Sequence, residues 1–197
     1  MRLKILDRYL DHLPWVAAML LIAGVVHIVS VLLMPAVAPK DAYARALAAV
    51  GGAQPARLVA LAPMAPGAEI LPFEDPAFAE GLCVYDLSKG LLRVSAPADG
   101  EDYLAISFHA LAGRLYHAIT DRAAIKGKID IVIGDGRQIE ALQAATEEAP
   151  PQEVRLTAPT KRGFVLVRSF AKRPSDQARA RERLNTVSCE RFDPPKE

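Results

Sequence analysis

The sequence has no surplus of either charge, because its 197 residues carry 24 Lys and Arg against 23 Asp and Glu. Proteins that bind nucleic acid concentrate basic residues on one face, so we expect no nucleic-acid partner. Charged residues still make up 24% of the chain, which argues against broad disorder. The chain is too short for a barrel enzyme or for two large lobes, and it contains no internal repeat.

Sequence motifs typical of enzymes are missing as well. Ser107 stands in a Ser-Phe-His tripeptide and not in the G-x-S-x-G turn of a hydrolase. The segment Gly134-Asp135-Gly136 lacks both the third glycine of a dinucleotide site and the Lys-Ser/Thr pair of a P-loop. We therefore predict no catalytic residue and no cofactor, and leave open whether the protein is an enzyme.

A further absence defines the amino-terminal segment, since no Asp, Glu, Lys or Arg occurs from Trp15 to Ala38. At a rise of about 1.5 Å per residue, the stretch from Trp15 to Met34 reaches about 30 Å, the thickness of a bilayer core. Pro35 and Pro39 are expected to end this helix, because proline lacks an amide donor and clashes with the preceding turn. We predict a tail over residues 1–14 and a transmembrane anchor over residues 15–38.

A cleaved signal peptide is the alternative interpretation, because Ala36-Val37-Ala38 has the small-x-small form of a cleavage site. However, the apolar stretch exceeds the roughly 7–15 residues of a signal-peptide core. Proline at position 39 would also be a poor first residue for the mature protein. These two features favour a retained anchor.

Basic residues flank the predicted span unequally. Arg2, Lys4 and Arg8 precede it with the amino terminus, whereas Lys40 and Arg45 follow it. Because basic flanks stay on the cytoplasmic side, we expect a single-pass protein of the bacterial inner membrane. Its amino terminus would be cytoplasmic, the lipid bilayer would be one partner, and the bulk of the chain would be periplasmic.

The two cysteines agree with an oxidising compartment. In the periplasm Cys83 and Cys189 can form a disulfide, which would close a long loop. Two buried free thiols are the alternative interpretation.

Beyond the span, the sequence divides into three parts. Residues 39–76 are predicted to hold a juxtamembrane helix and then a Pro-rich crossing from Pro63 to Pro76. The helix would begin after Asp41, a good N-cap, and end at Gly51-Gly52. Residues 77–192 form the predicted β-rich domain, and residues 193–197 form a short tail.

The β-rich region alternates short apolar runs with turn residues, which is typical of a β-sandwich or barrel. Two helical stretches interrupt the strands, GRQIEALQAAT and SDQARARERLNTV. EVRLTA and GFVLVRSF are predicted to pair as a hairpin across PTKRG, where glycine suits the turn. The expected fold is mainly β, with short flanking helices.

His109 and His117 lie eight residues apart around a turn, and with Asp121 they form a candidate ligand pocket. Facing one another, they could act as an acid–base pair. Neither histidine lies in a tight ligand motif, and a zinc site needs three or four converging ligands, so we predict no metal site. Solvent-facing strand positions are the plainer interpretation.

The last helix carries three arginines at alternate positions, Arg179, Arg181 and Arg183. Such a cluster can bind anionic lipid head groups or an acidic partner, which makes it a candidate interaction face. A solvated helical face explains the same residues.

The segments GLCVYDLSKGLLRVSAP, YLAISFHALAGRLYHAITDRAA and TKRGFVLVRSF, followed by a terminal Ser-Cys, carry a family resemblance. In this order they resemble the family called domain of unknown function 1254 over about residues 70–190. The order matches a short, membrane-anchored branch of that family, of the alphaproteobacterial type.

The resemblance implies a jelly-roll-like β-sandwich, but no established activity and no catalytic residues. It places cysteines at positions 83 and 189, which favours the disulfide. It also implies pairing with a companion, domain of unknown function 1214, here as a separate anchored protein. Longer members carry a polar Asp/Asn-rich stretch where this chain has HALAGRLYHAITD, so a ligand site formed by that stretch would be missing here.

Two functions follow as expectations. The first is a membrane-anchored periplasmic interaction or assembly module of the envelope, paired with a second single-span protein of the 1214 type. The second is a periplasmic enzyme or ligand-binding domain that acts on envelope carbohydrate or lipid.

Overall fold

A computed structural model describes residues 2–37, 41–52, 56–63, 67, 74–98, 102–146 and 153–193. The chain divides into two units, residues 1–39 and residues 40–197. Most of the predicted Pro-rich crossing, residues 64–66 and 68–73, lies outside the described residues, as do residues 38–40 and 194–197.

The first unit is one long helix, α1 (Arg2–Val37). Within it, the 23 residues His12–Met34 are long and apolar enough to cross a membrane, which agrees with the predicted span. The prediction that Pro35 ends the helix is wrong, because α1 continues to Val37. Proline costs the helix one amide donor and disturbs the turn before it, but its own φ is helical. The tail predicted over residues 1–14 is also helical from Arg2 onward.

The second unit begins with α2 (Ala42–Ala49), as the sequence predicts. Asp41 Oδ1 accepts a hydrogen bond of 2.8 Å from the amide of Ala44, so the aspartate caps the helix. Gly51 and Gly52 follow the helix with positive φ angles of 84° and 75°, a conformation that favours glycine.

The domain core lies between two β-sheets. The strands of the five-stranded sheet, in spatial order, are β1 (Val59–Ala60), β2 (Phe78–Asp86), β8 (Arg162–Phe170), β4 (Leu104–Ala110) and β5 (Leu115–Thr120). The strands of the four-stranded sheet are β7 (Val154–Thr157), β6 (Lys128–Gly134), β3 (Leu91–Pro97) and β9 (Ser188–Phe192). The predicted mainly β, two-sheet domain is therefore confirmed.

The inner faces of the two sheets form one apolar cluster, to which Phe108, Val94 and Ile131 belong. Strand β4 alternates strictly between buried and partly exposed residues, which is the pattern of a strand with one face against a core. The outer face of the five-stranded sheet, turned away from its partner sheet, carries a second cluster. There Tyr43 and Ala46 of α2 pack with Leu82 and Phe164.

The predicted hairpin of EVRLTA with GFVLVRSF is wrong. Strand β7 pairs in parallel with β6, whereas β8 lies in the other sheet between β2 and β4. A parallel neighbour needs a crossover connection, and α3 (Gly136–Ala144) supplies it between β6 and β7. Residues 158–161 therefore carry the chain from one sheet to the other.

A last helix, α4 (Gln177–Asn185), follows a 3₁₀ turn at Pro174–Asp176 and leads into β9. Its residues Ala180 and Leu184 are buried in the inter-sheet core. Two further 3₁₀ turns, Leu87–Lys89 and Asp121–Ala123, follow β2 and β5. Strand β9 pairs with β3, so α4 delivers Cys189 to the four-stranded sheet.

Candidate functional site

His109 lies on the outer face of the five-stranded sheet, held by contacts on both ring nitrogens. Its Nδ1 is 3.1 Å from the carbonyl oxygen of Gly113, and its Nε2 is 3.0 Å from Ser107 Oγ. The ring also stacks on Phe164, with 4.8 Å between centroids and 4° between planes. The sequence motif assigns Ser107 no partner, although residues two apart on a strand share one face and can therefore contact each other.

The protonation of His109 follows from these contacts. Burial lowers the pKa of His109 more than the hydrogen bond to Gly113 raises it, and the positive charge of Arg168 lowers it further. A carbonyl only accepts, so in the neutral ring Nδ1 carries the hydrogen, and the single hydrogen of the Ser107 hydroxyl has two acceptors within reach, Nε2 at 3.0 Å and the carbonyl oxygen of Leu166 at 3.2 Å. Nδ1 faces the carbonyl of Gly113, and no carboxylate of the described residues bonds to it to stabilise an imidazolium, as an activated serine requires. Ser107 and His109 therefore stabilise the outer face of the sheet, and their contacts differ from those of a catalytic triad.

The other two predicted pocket residues lie elsewhere. His117 is opposite Phe108, its ring 6.1 Å from the Phe108 ring, so it lies on the inner face. Asp121 Oδ1 accepts a hydrogen bond of 3.4 Å from the amide of Leu104, at the opposite end of β4 from His109. Within the described part of the chain, no hydrogen bond or ion pair joins His109, His117 and Asp121. As a ligand pocket this set stays a prediction.

A buried carboxylate lies further along the same outer face. Glu80 Oε1 accepts a hydrogen bond of 2.8 Å from Arg168 Nε, and the Glu80 side chain is only 7% exposed. Its Oε2 is buried and has no hydrogen-bond partner among the described residues. Burial raises the pKa of Glu80, and Arg168 opposes that effect, while the nearby charges of Glu74 and Asp75 add to it.

Glu80 also lines a shallow surface hollow, whose space of about 320 Å³ includes open solvent. Glu74, Asp75 and Arg181 contribute to its wall. A second hollow of about 320 Å³ lies near Gly90 and Arg191. Neither hollow is lined by His109, His117 or Asp121.

A pair of tyrosines fixes β5 to the rest of the sheet. Tyr116 Oη lies 3.1 Å from Tyr85 Oη, and Tyr85 donates a hydrogen bond of 3.3 Å to the carbonyl of His109. Burial raises the pKa of Tyr116 to about 12, and burial together with Tyr116 raises the pKa of Tyr85 as well. Both hydroxyls are therefore neutral structural groups at ordinary pH.

The three arginines of α4 contact their own domain. Arg181 donates to the carbonyl of Leu61, and Arg183 donates to the carbonyl of Asp102. Arg179 is more exposed and lies 3.5 Å from Asp102 and 3.8 Å from Asp176. A shared role for the three as an interaction face stays a prediction, because Arg181 and Arg183 also hold the fold together.

The two cysteines form the predicted disulfide. Cys83 lies on β2 and Cys189 on β9, so the bond joins the two sheets through the core. Both residues are buried, at 0% and 5% exposure. Among the described residues, no group of three or more His, Cys, Asp or Glu side chains is placed to hold a metal ion.

The family model described as "Protein of unknown function (DUF1254)" matches residues 78–191. This match covers more than half of the chain, from the start of β2 to β9. The chain belongs to the DUF1254 family. The resemblance seen in the sequence is thereby confirmed, and the family description assigns no activity to any residue of this DUF1254 domain.

Two solved structures are similar to the DUF1254 chain. The VPA0106 protein from Vibrio parahaemolyticus shares 11% identity at a TM-score of 0.52, over 78% of this chain but only 38% of its own. An uncharacterized protein from Burkholderia cenocepacia shares 15% identity at a TM-score of 0.44, over 79% of this chain and 40% of its own. This chain thus spans well under half the length of either solved protein. No curated protein matches it.

Proposed function

We propose that the protein is a membrane-anchored interaction module of the bacterial envelope, paired with a second single-span protein of the domain of unknown function 1214 type. Its α1 helix would cross the inner membrane with the amino terminus in the cytoplasm. The domain, with a jelly-roll-like arrangement of strands, would lie in the periplasm.

Three features support this location. The stretch His12–Met34 has the length and apolarity of a membrane span. Three basic residues precede it, consistent with a cytoplasmic amino terminus. The disulfide between Cys83 and Cys189 is stable in an oxidising compartment such as the periplasm.

The observation that carries the interaction role is the distribution of exposed apolar side chains. Outside α1, the large apolar residues that are exposed in the described structure are Tyr103, Leu115 and Ile125. Tyr103 precedes β4, Leu115 begins β5, and Ile125 follows the turn after β5. Leu115 lies at one end of the β4–β5 pair, whereas Tyr103 and Ile125 flank its other end, and we propose that a partner covers this edge of the sheet.

The partner's nature rests on the family. The resemblance of the sequence to this family implies a companion of the 1214 type. In VPA0106 the matching fold occupies only 38% of the chain, and the rest is further polypeptide. We propose that a second anchored protein provides a comparable neighbour here.

Site-specific photocrosslinking in cells tests the proposal. A photoreactive residue at Leu115 of the full-length protein is expected to capture a second single-span envelope protein, identified by mass spectrometry. The same residue at Glu140, exposed on α3 beside the other sheet, is the matched control and should capture none. Recovery of uncrosslinked protein alone from the Leu115 position would contradict the proposal.

A ligand-binding or enzymatic domain acting on envelope carbohydrate or lipid is the second candidate. The observation in its favour is the hollow at Glu80, where a buried carboxylate oxygen has no hydrogen-bond partner in the described part of the chain. Glycan or lipid co-purifying with the wild-type protein, and lost from Glu80→Gln, would support this candidate over the first.

A further inference from the structure

We propose that the partner docks by adding a β-strand to β5, through a segment with an uncharged centre and acidic residues at both ends. This inference rests on the proposed function and specifies how that interaction is made.

Four strands form the outer edges of the two sheets, and β5 is the one best suited to pair with another chain. β1 has two residues, β7 has four with Arg155 among them, and β9 has five with Glu190 and Arg191. Short edges and charged edges resist pairing with other chains. β5 has six residues, LYHAIT, with no Asp, Glu, Lys, Arg or Pro. It is thus the longest of these edges and the one without such protection.

Strand β5 is held in place by packing and by a hydrogen bond. Tyr116 and Ile119 pack against the inter-sheet core, and the Tyr116 hydroxyl is hydrogen-bonded to Tyr85. Leu115 and Ala118 remain exposed. An edge strand fixed in this way offers its backbone groups preorganised, so a pairing strand loses less entropy on binding.

Both ends of β5 carry a positive charge. Arg114 precedes the strand and Arg122 follows it, and both are exposed. Neither guanidinium is ion-paired within the described residues. A partner strand with acidic residues at both ends would complement them, since opposite charges stabilise cross-strand neighbours.

The same charges disfavour a second copy of this chain as the occupant. Two β5 strands that pair antiparallel about a two-fold axis at Ala118 would place Arg114 of each copy opposite Arg122 of the other. Like charges directly opposite one another destabilise a strand pair. A different protein is therefore the expected occupant.

Photocrosslinking along β5 tests the mode of docking. Photoreactive residues placed singly at Leu115, Ala118 and Thr120 of the full-length protein should capture one segment of one envelope protein. The captured positions should advance along that segment in register, and acidic residues should flank them. Crosslinks scattered over several segments would overturn strand addition while leaving the proposed function standing. Capture of nothing from any position would overturn both, and capture of a second copy alone would overturn the choice of occupant.

A charge variant supplies an independent measurement. With the photoreactive residue at Ala118, the double substitution Arg114→Glu and Arg122→Glu should reduce capture at least about tenfold, equivalent to about 1.4 kcal/mol. The control Arg114→Lys with Arg122→Lys keeps both charges and should retain most of the capture. Retention of the disulfide in both variants, read by gel mobility without reductant, verifies folding. Equal capture by the two variants would overturn the role of the acidic flanks.

Discussion

Ser107 Oγ lies 3.0 Å from Nε2 of the neutral, Nδ1-protonated His109 on the outer face of β4, and its one hydrogen is shared between that nitrogen and the carbonyl oxygen of Leu166 at 3.2 Å. The carbonyl of Gly113 selects this tautomer by accepting from Nδ1. His109, which the sequence predicts for a ligand pocket or an acid–base pair, thus forms its hydrogen-bond contacts with a neighbour on its own strand and with the turn after it.

We expect His109 to remain neutral to lower pH than a free histidine, whose pKa is near 6.5. Its folded pKa is lowered, so the stability it contributes is present above the unfolded value and is lost as pH falls through the folded one. Nitrogen NMR of the imidazoles should show the Nδ1-protonated tautomer. Ser107→Ala should cost about 1 kcal/mol in the free energy of unfolding. Ser95→Ala is the control, because that hydroxyl bonds to Ser188 and should leave the His109 titration unchanged.

Arg168→Met should destabilise the domain at neutral pH by about 2 kcal/mol, because it removes a charged hydrogen-bond donor from a buried carboxylate. The pKa of Glu80 is already raised by burial, and loss of Arg168 should raise it further. A raised carboxyl pKa contributes stability at low pH that is lost as pH rises through the folded value. The deficit of Arg168→Met should therefore shrink as pH falls from neutral toward about 4.

Denaturant unfolding of the full-length protein in mild detergent, at several pH values, measures this deficit. The double variant Arg168→Met with Glu80→Gln is the control, since it carries no buried carboxylate and its stability should vary less over that pH range. A deficit that stays constant with pH would contradict the assignment.

Loss of the disulfide should cost about 2–5 kcal/mol in the free energy of unfolding, since the bond closes a loop between residues 106 positions apart. The variant Cys83→Ala with Cys189→Ala should unfold at lower denaturant concentration than the wild-type protein. Reductant should lower the wild-type midpoint toward that of the variant and leave the variant itself unmoved. Identical midpoints for oxidised and reduced wild-type protein would be inconsistent with a stabilising bond.

Local features of the fold could be predicted from the sequence because neighbouring residues determine them. Asp41 caps α2 as expected, and the alternation of β4 is visible in the letters. The pairing of β7 with β6 could not be predicted, because the chain between them decides it and EVRLTA carries no sign of its partner. The short segment PTKRG between β7 and β8 favoured a hairpin of these two strands, because they are adjacent in the sequence.

The candidate pocket shows the same limit. His109 and His117 lie on neighbouring strands, as their spacing suggests, but His117 is opposite Phe108. Residues opposite one another share a face and successive residues alternate, so the two histidines point to opposite sides of the sheet. The register that decides this depends on the turn around Gly113. That β5 lies at an exposed edge of the sheet could not be predicted either, because the residues of a strand do not reveal its neighbours in the sheet.

The pairing of β2 with β8 has a consequence for the order in which the molecule can be made. Phe78 pairs with Phe170 and Asp86 with Arg162, so β2 cannot pair with β8 until most of the domain has been synthesised. Cys189 comes later still, so the covalent bond to Cys83 cannot form until nearly the whole domain has been made. Until β8 is made, the apolar residues of β2 lack this partner strand, and a chain truncated before β8 cannot complete the native sheet.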